Sequence, residues 1–134
     1  MSRSKLREKT FRLLFGTEFH DRDQHDDQSE LFFQAEEQAE MSDEDIKYVT
    51  GKCNDIVDKL SEIDRLLSEK TTGWSLSRIG KAELAILRLA VYEIVYDDSI
   101  PPSVSINEAV ELAKKYGADE SASFVNGVLA KFVK

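Results

Sequence analysis

Five cations fall within the first twelve residues, Arg3, Lys5, Arg7, Lys9 and Arg12, and only Glu8 opposes them before Phe15. Lysine and arginine meet phosphate oxygens by charge, and the planar arginine fork adds paired hydrogen bonds or stacking on a base. Aromatic rings offer a second means of meeting RNA, since an unpaired base can stack on a flat ring. The bland reading stands beside this one, since most basic helix faces are solvated surface and most helical aromatics are core.

Catalysis has no comparable candidate. His20, Asp21, His25 and Asp26 carry metal-ligating groups, but in an acidic run without the fixed spacing that a metal cage needs, so they read as a solvated loop. No Gly-rich phosphate loop, nucleophile elbow or His-Glu-x-x-His motif occurs, and Cys53 falls on an apolar helical stripe. The expectation is a non-enzymatic protein with no metal and no cofactor.

Composition narrows the class further. A chain of 134 residues with 41% hydrophobic content suits one domain with a sizeable core. Two prolines and no sustained apolar–polar alternation point to an all-α fold. The single Cys53 forms no internal disulfide and fits a reducing cytoplasm. Arg88 and Glu93 interrupt the most apolar stretch and no secretory start is evident, so neither export nor membrane crossing is expected. A net charge of -8 opposes nonspecific binding to polyanions. Any nucleic-acid site must therefore be a local basic patch, and the first twelve residues supply one ahead of the densely acidic stretch from Glu18 to Asp45.

These residues need elements to hold them. Ser4 is placed to cap a first helix reaching about Phe19, with Leu6, Phe11, Leu13 and Leu14 inward and Lys5, Lys9 and Arg12 on the opposite side. Arg7, Phe11 and Phe15 form a line at the edge of the apolar face. Leu31, Phe32, Ala35 and Ala39 suggest a second, shorter helix. Ser42 and Asp45 then form a cap signal for one long helix whose stripe runs from Ile46 through Cys53, Leu60 and Leu67. Thr71, Thr72 and Gly73 interrupt it, Trp74 and Leu76 anchor the linker, and a seam is expected at about residues 71–78.

Three helices follow. Ile79, Ala82, Ile86, Leu87, Ala90, Val91 and Ile94 mark the first, which ends near Asp97 before Pro101 and Pro102. Arg88 and Glu93 are expected to brace the fold or lie at its edge, because unpaired charges are costly to bury. A second apolar face from Val104 to Ala113 ends at Lys114, Lys115 and Gly117, with Asn107 and Glu108 read as its helix start. Asp119 is placed to cap the third, which carries Phe124, Val125, Val128, Leu129 and Phe132 to the chain end. Gly127 inside that helix costs about 1 kcal/mol relative to alanine, and close packing against a neighbouring backbone would offset it. The domain expectation is one domain over residues 1–134, made of two packed helical bundles at about 1–72 and 73–134.

The phrases LRLAVYE, INEAVELAKKYG and FVNGVL, in this order and spacing, resemble the C-terminal half of the bacterial NusB family of transcription antitermination factors. Arg7-Glu8 and Leu14-Phe15 extend the resemblance, where the family usually reads Ala-Arg-Glu and Leu-Tyr; the middle matches only in helical pattern. Related modules are also fused to RNA cytosine methyltransferases, and the free-standing factor is the better match.

The resemblance implies two small helical bundles side by side and no catalysis. It implies that RNA contacts fall on Arg7, with Arg3 and Lys5 matching a basic arm in charge, and on Phe15 and Phe124. Phe15 stands at a family tyrosine and lacks the hydroxyl hydrogen bond. Glu83 is implied to belong to the surface used for RNA and the protein partner, and Glu120 to lie beside that partner; from sequence alone Glu83 reads as a solvated acid. The implied partners are the NusE-type small-subunit ribosomal protein, the single-stranded boxA element of nascent ribosomal RNA, and RNA polymerase with other Nus factors. The alternative is an interaction scaffold of the same fold with little RNA affinity.

Overall fold

A computed structural model describes residues 1–17, 41–71 and 75–133. The expected short helix at Leu31–Ala39, the His20–Asp27 run and the Trp74 anchor lie outside the described residues. Those described are all-α, with six α helices, one 3-10 turn and no strand among them. Cα packing divides the chain into two compact units, Met1–Val57 and Asp58–Lys134. The stretch of residues 71–78 where the sequence suggests a seam falls inside the second of these.

In the first unit, α1 spans Arg3–Thr17 and α2 spans Asp43–Asp58. The α1 cap is Ser2 rather than Ser4: its Oγ accepts the Lys5 amide at 3.1 Å, satisfying one of the amides that the first turn leaves free. Ser42 caps α2 as expected, accepting the Asp45 amide at 3.1 Å, and three acids in the first turn suit the positive end of the helix dipole. Phe11, Leu13, Leu14, Val49, Cys53 and Ile56 are buried.

The single long helix expected from the Ile46–Leu67 stripe is two helices. α2 ends at Asp58, Lys59 turns with φ -101° and ψ 10°, and α3 runs Leu60–Lys70. The apolar stripe continues through the break, with Ile56, Ile63 and Leu67 all buried, so periodicity alone does not reveal it.

In the second unit, a 3-10 turn at Leu76–Arg78 leads to α4 (Lys81–Tyr96), α5 (Pro102–Tyr116) and α6 (Ser121–Ala130). α4 is central, packing on α3, α5 and α6. This explains why Leu84, Ala85 and Leu89 are buried beyond the single face read from sequence. Two charges brace it. Arg88 donates from Nε and Nη2 to both Asp64 carboxylate oxygens at 2.9 Å, and the Ser105 hydroxyl donates to the fully buried Glu93 at 2.8 Å. The expectation of bracing holds, while Glu93 lies in the core and not at an edge.

α5 begins at Pro102, whose missing N–H costs nothing at a first helical position, so Asn107 lies a turn inside the helix and is no cap. α6 begins at Ser121 with no side-chain cap from Asp119 or Glu120. It ends at Ala130 instead of running to the terminus. Gly127 is exposed, and no heavy atom among the described residues comes within 4 Å of where its Cβ would stand, apart from its own helix backbone, so the expected close packing is not present. Beyond α6, Lys131 Nζ donates to the Lys70 carbonyl at 3.0 Å and Lys70 Nζ lies 5.8 Å from the Phe132 ring centroid. This clasp satisfies a carbonyl that the end of α3 would otherwise leave open.

Candidate binding site

The start of α4, the turn between α5 and α6, and the start of α6 converge on an open cleft of about 850 Å³. Arg78 and Gly80 approach from the segment before α4, Glu83 from its first turn, Glu120 from the connecting turn, and Ser121 and Phe124 from α6. Glu83, Glu120 and Phe124, nominated separately from sequence, thus line one surface.

The interior of this cleft is built tightly. Ser121 is buried; its Oγ accepts the Ala118 amide at 2.8 Å, and its hydroxyl donates to the Glu83 carboxylate. Glu83 is therefore a half-buried, hydrogen-bonded acid and not the freely solvated one that the sequence suggests. Two glycines make room for the pair. A Cβ at Gly80 would collide with Glu83 Oε1, and one at Gly117 would stand 2.5 Å from the Ser121 Cβ and 2.8 Å from the Ala113 carbonyl oxygen. Phe124 is half-buried, while Arg78 and Glu120 are exposed. A ring, two carboxylates and a guanidinium thus surround one open cleft.

Arg78, Gly80 and Ser121 escaped the sequence reading, and Gly117 was read only as a helix end. Gly80 and Gly117 bracket the start of one helix and the end of another, which reads as capping. Their clearance of a carboxylate and a hydroxyl emerges only when residues 38 positions apart meet.

In the first unit the basic helix differs from expectation. Arg3 and Lys5 are exposed, but Arg7 is only 6% and Lys9 only 7% exposed. The reason lies in helical spacing: Arg7 falls on the line with buried Phe11 and Leu14, and Lys9 on the line with buried Leu13. Both cations have interaction partners in the fold. Phe15 is half-buried and stacks on Phe11, with centroids 5.9 Å apart and rings inclined by 22°. The exposed cations of the arm are thus concentrated at its first turn.

Among the described residues no cluster of three His, Cys, Asp or Glu side chains is placed to hold a metal ion. None of their helices is long and apolar enough to cross a membrane.

Such a fold, with an open cleft at the start of α4 and α6, defines an all-helical class. Residues 4–134 match the model of the NusB family, and the chain belongs to that family. The resemblance read from its three C-terminal phrases therefore holds over nearly the whole length. It is 55% identical to transcription antitermination protein NusB of Agathobacter rectalis over 132 residues, covering 98% of this chain and 99% of that relative. In structure it is similar to T. maritima NusB, with a TM-score of 0.84 and 31% identity over 98% of this chain and 90% of the other. It is also similar to a chain in a crystal structure of antitermination factors NusB and NusE in complex with dsRNA, with a TM-score of 0.78 and 26% identity over 98% and 97% of the two chains.

Proposed function

We propose that this chain is a non-enzymatic, cytoplasmic RNA-binding factor in transcription antitermination. It pairs with the NusE-type ribosomal protein, and the heterodimer captures the single-stranded boxA element of nascent ribosomal RNA. The assembly joins other Nus factors on RNA polymerase and suppresses termination. One observation carries the reading: Glu83, Glu120 and Phe124 share a single cleft in a chain of this family. The complex of similar structure with NusE and RNA supports it.

The residues divide the work by chemistry. Phe124 supplies a stacking face for an unpaired base, and Arg3 and Lys5 supply exposed charge for phosphates. Arg7 is covered, so its contribution is to support that arm, and Phe15 adds ring surface beside it. Glu83 and Glu120 address a basic protein. A chain of net charge -8 gains electrostatic complementarity from such a partner, which in turn completes the attraction for RNA.

The deciding experiment measures affinity for a boxA RNA against a scrambled control at fixed salt, with and without the NusE-type protein. Selective binding that tightens with the partner is the expected result. Partner binding without RNA selectivity would favour the scaffold reading, which the burial of Arg7 and Lys9 lends some weight. Failure to bind either would overturn both.

A further inference from the structure

We propose that Ser121 is a positioning residue that holds the Glu83 carboxylate in the orientation from which it accepts hydrogen bonds from a guanidinium of the protein partner. The inference rests on the partner reading above and names the chemistry of its contact at the cleft.

A glutamate in the first turn of a helix ordinarily samples several rotamers, and fixing it costs side-chain entropy on binding. Here that freedom is already removed from two sides. The Ser121 hydroxyl donates to Oε2, and its own oxygen is fixed by the Ala118 amide at 2.8 Å. Oε1 lies over Gly80, in space that any other residue would fill with its Cβ. Each carboxylate oxygen accepts more than one hydrogen bond, so the pair retains capacity toward the cleft. A carboxylate held in a plane matches the fork of an arginine better than the point charge of a lysine.

Charge selects the ligand class. Among the described residues that line the cleft, Glu83 and the exposed Glu120 stand against one exposed cation, Arg78, in an acidic chain. That balance attracts a cation and repels phosphate. An arginine of a basic protein therefore fits the Glu83 side of the cleft better than an RNA backbone does.

Of the two glycines, Gly80 supplies a variant that separates positioning from folding. Gly80→Ala places a methyl against the end of a flexible side chain, so Glu83 is pushed aside at little cost to the fold. Ser121→Ala removes the donor directly and also deprives the Ala118 amide of its acceptor. The test combines the Hα–Hβ scalar couplings of Glu83 in the free chain with calorimetric affinity for the NusE-type protein. It uses wild type, both variants, Glu83→Gln, and each variant combined with Glu83→Gln.

One dominant Glu83 rotamer is expected in wild type and averaged couplings in Ser121→Ala and Gly80→Ala. Partner affinity should fall about tenfold in each, with no further fall when either is added to Glu83→Gln. Couplings unchanged by Ser121→Ala, or an equal loss of affinity in the Glu83→Gln background, would overturn the positioning role. Altered RNA affinity with unaltered partner affinity would overturn the guanidinium assignment. Absence of partner binding by wild type would overturn the partner reading and that assignment together, while the couplings would still decide whether Ser121 holds Glu83.

Discussion

Cys53 is wholly buried in α2, and burial pushes its thiol up to about 12 because the thiolate has no water to stabilise it. The unfolded chain releases this proton near pH 8.5–9, roughly the ordinary thiol range. Between there and about 12 the folded state therefore holds one more proton than the unfolded state. Stability falls as pH rises through that window, by about 1.4 kcal/mol per pH unit from this group, and is unaffected by it below pH 8. Urea denaturation of wild type and Cys53→Ala from pH 7 to 11 checks the sign. The wild-type curve should decline more steeply than the variant's above pH 9, and parallel curves would contradict the assignment. Residue chemistry of this kind was legible in the sequence where a side chain fell on a clear apolar line, as Cys53 does. It was not legible for Ser121, whose role depends on Glu83 from another helix.

At the scale of elements, period and punctuation carried most of the information. The Ser42 cap, the end of α4 before Asp97 and the end of α5 before Gly117 all follow from local chemistry. The break at Lys59 does not, because the buried stripe keeps its phase across it. Arg7 and Lys9 misled for the opposite reason: a charge predicts exposure, but their helical phase puts them with Phe11, Leu13 and Leu14. Glycines at this scale separate by what surrounds them. Gly51 and Gly127 are exposed inside helices with open space, among the described residues, where a Cβ would go, so Gly51→Ala and Gly127→Ala should each stabilise by about 0.5–1 kcal/mol. Gly117→Ala should destabilise by about 1–3 kcal/mol, since its methyl meets the Ser121 side chain and the Ala113 carbonyl. Thermal melts of the three variants would show two rising midpoints and one falling. A fall for Gly127→Ala would mean that its helix face is occupied in the folded protein.

For the molecule as a whole, the net charge of -8 and a basic arm whose exposed cations are Arg3 and Lys5, with Arg12 half-buried, set the terms of the RNA binding proposed above. Each phosphate neutralised on a single strand contributes about -0.7 to the slope of log K against log salt. Replacing both cations, Arg3→Glu with Lys5→Glu, should weaken boxA binding by the partnered chain and flatten that slope by about 1.4. Filter binding across a salt series measures both quantities, and an unchanged slope would remove the arm from the RNA interface. Arg7→Glu is the poorer probe, because a reversed charge at a covered position disturbs folding as well as binding.

The clasp that closes the end of α3 joins positions 61 residues apart in the chain. On a translating ribosome working at about 5–20 residues per second, Lys70 waits roughly 3–12 s for its carbonyl to meet the Lys131 side chain. Throughout that interval the Lys70 carbonyl lacks its Lys131 donor, and the last turn of α3 is open to water at that point. Closure of this end of α3 is thus timed by the arrival of residues 131 and 132.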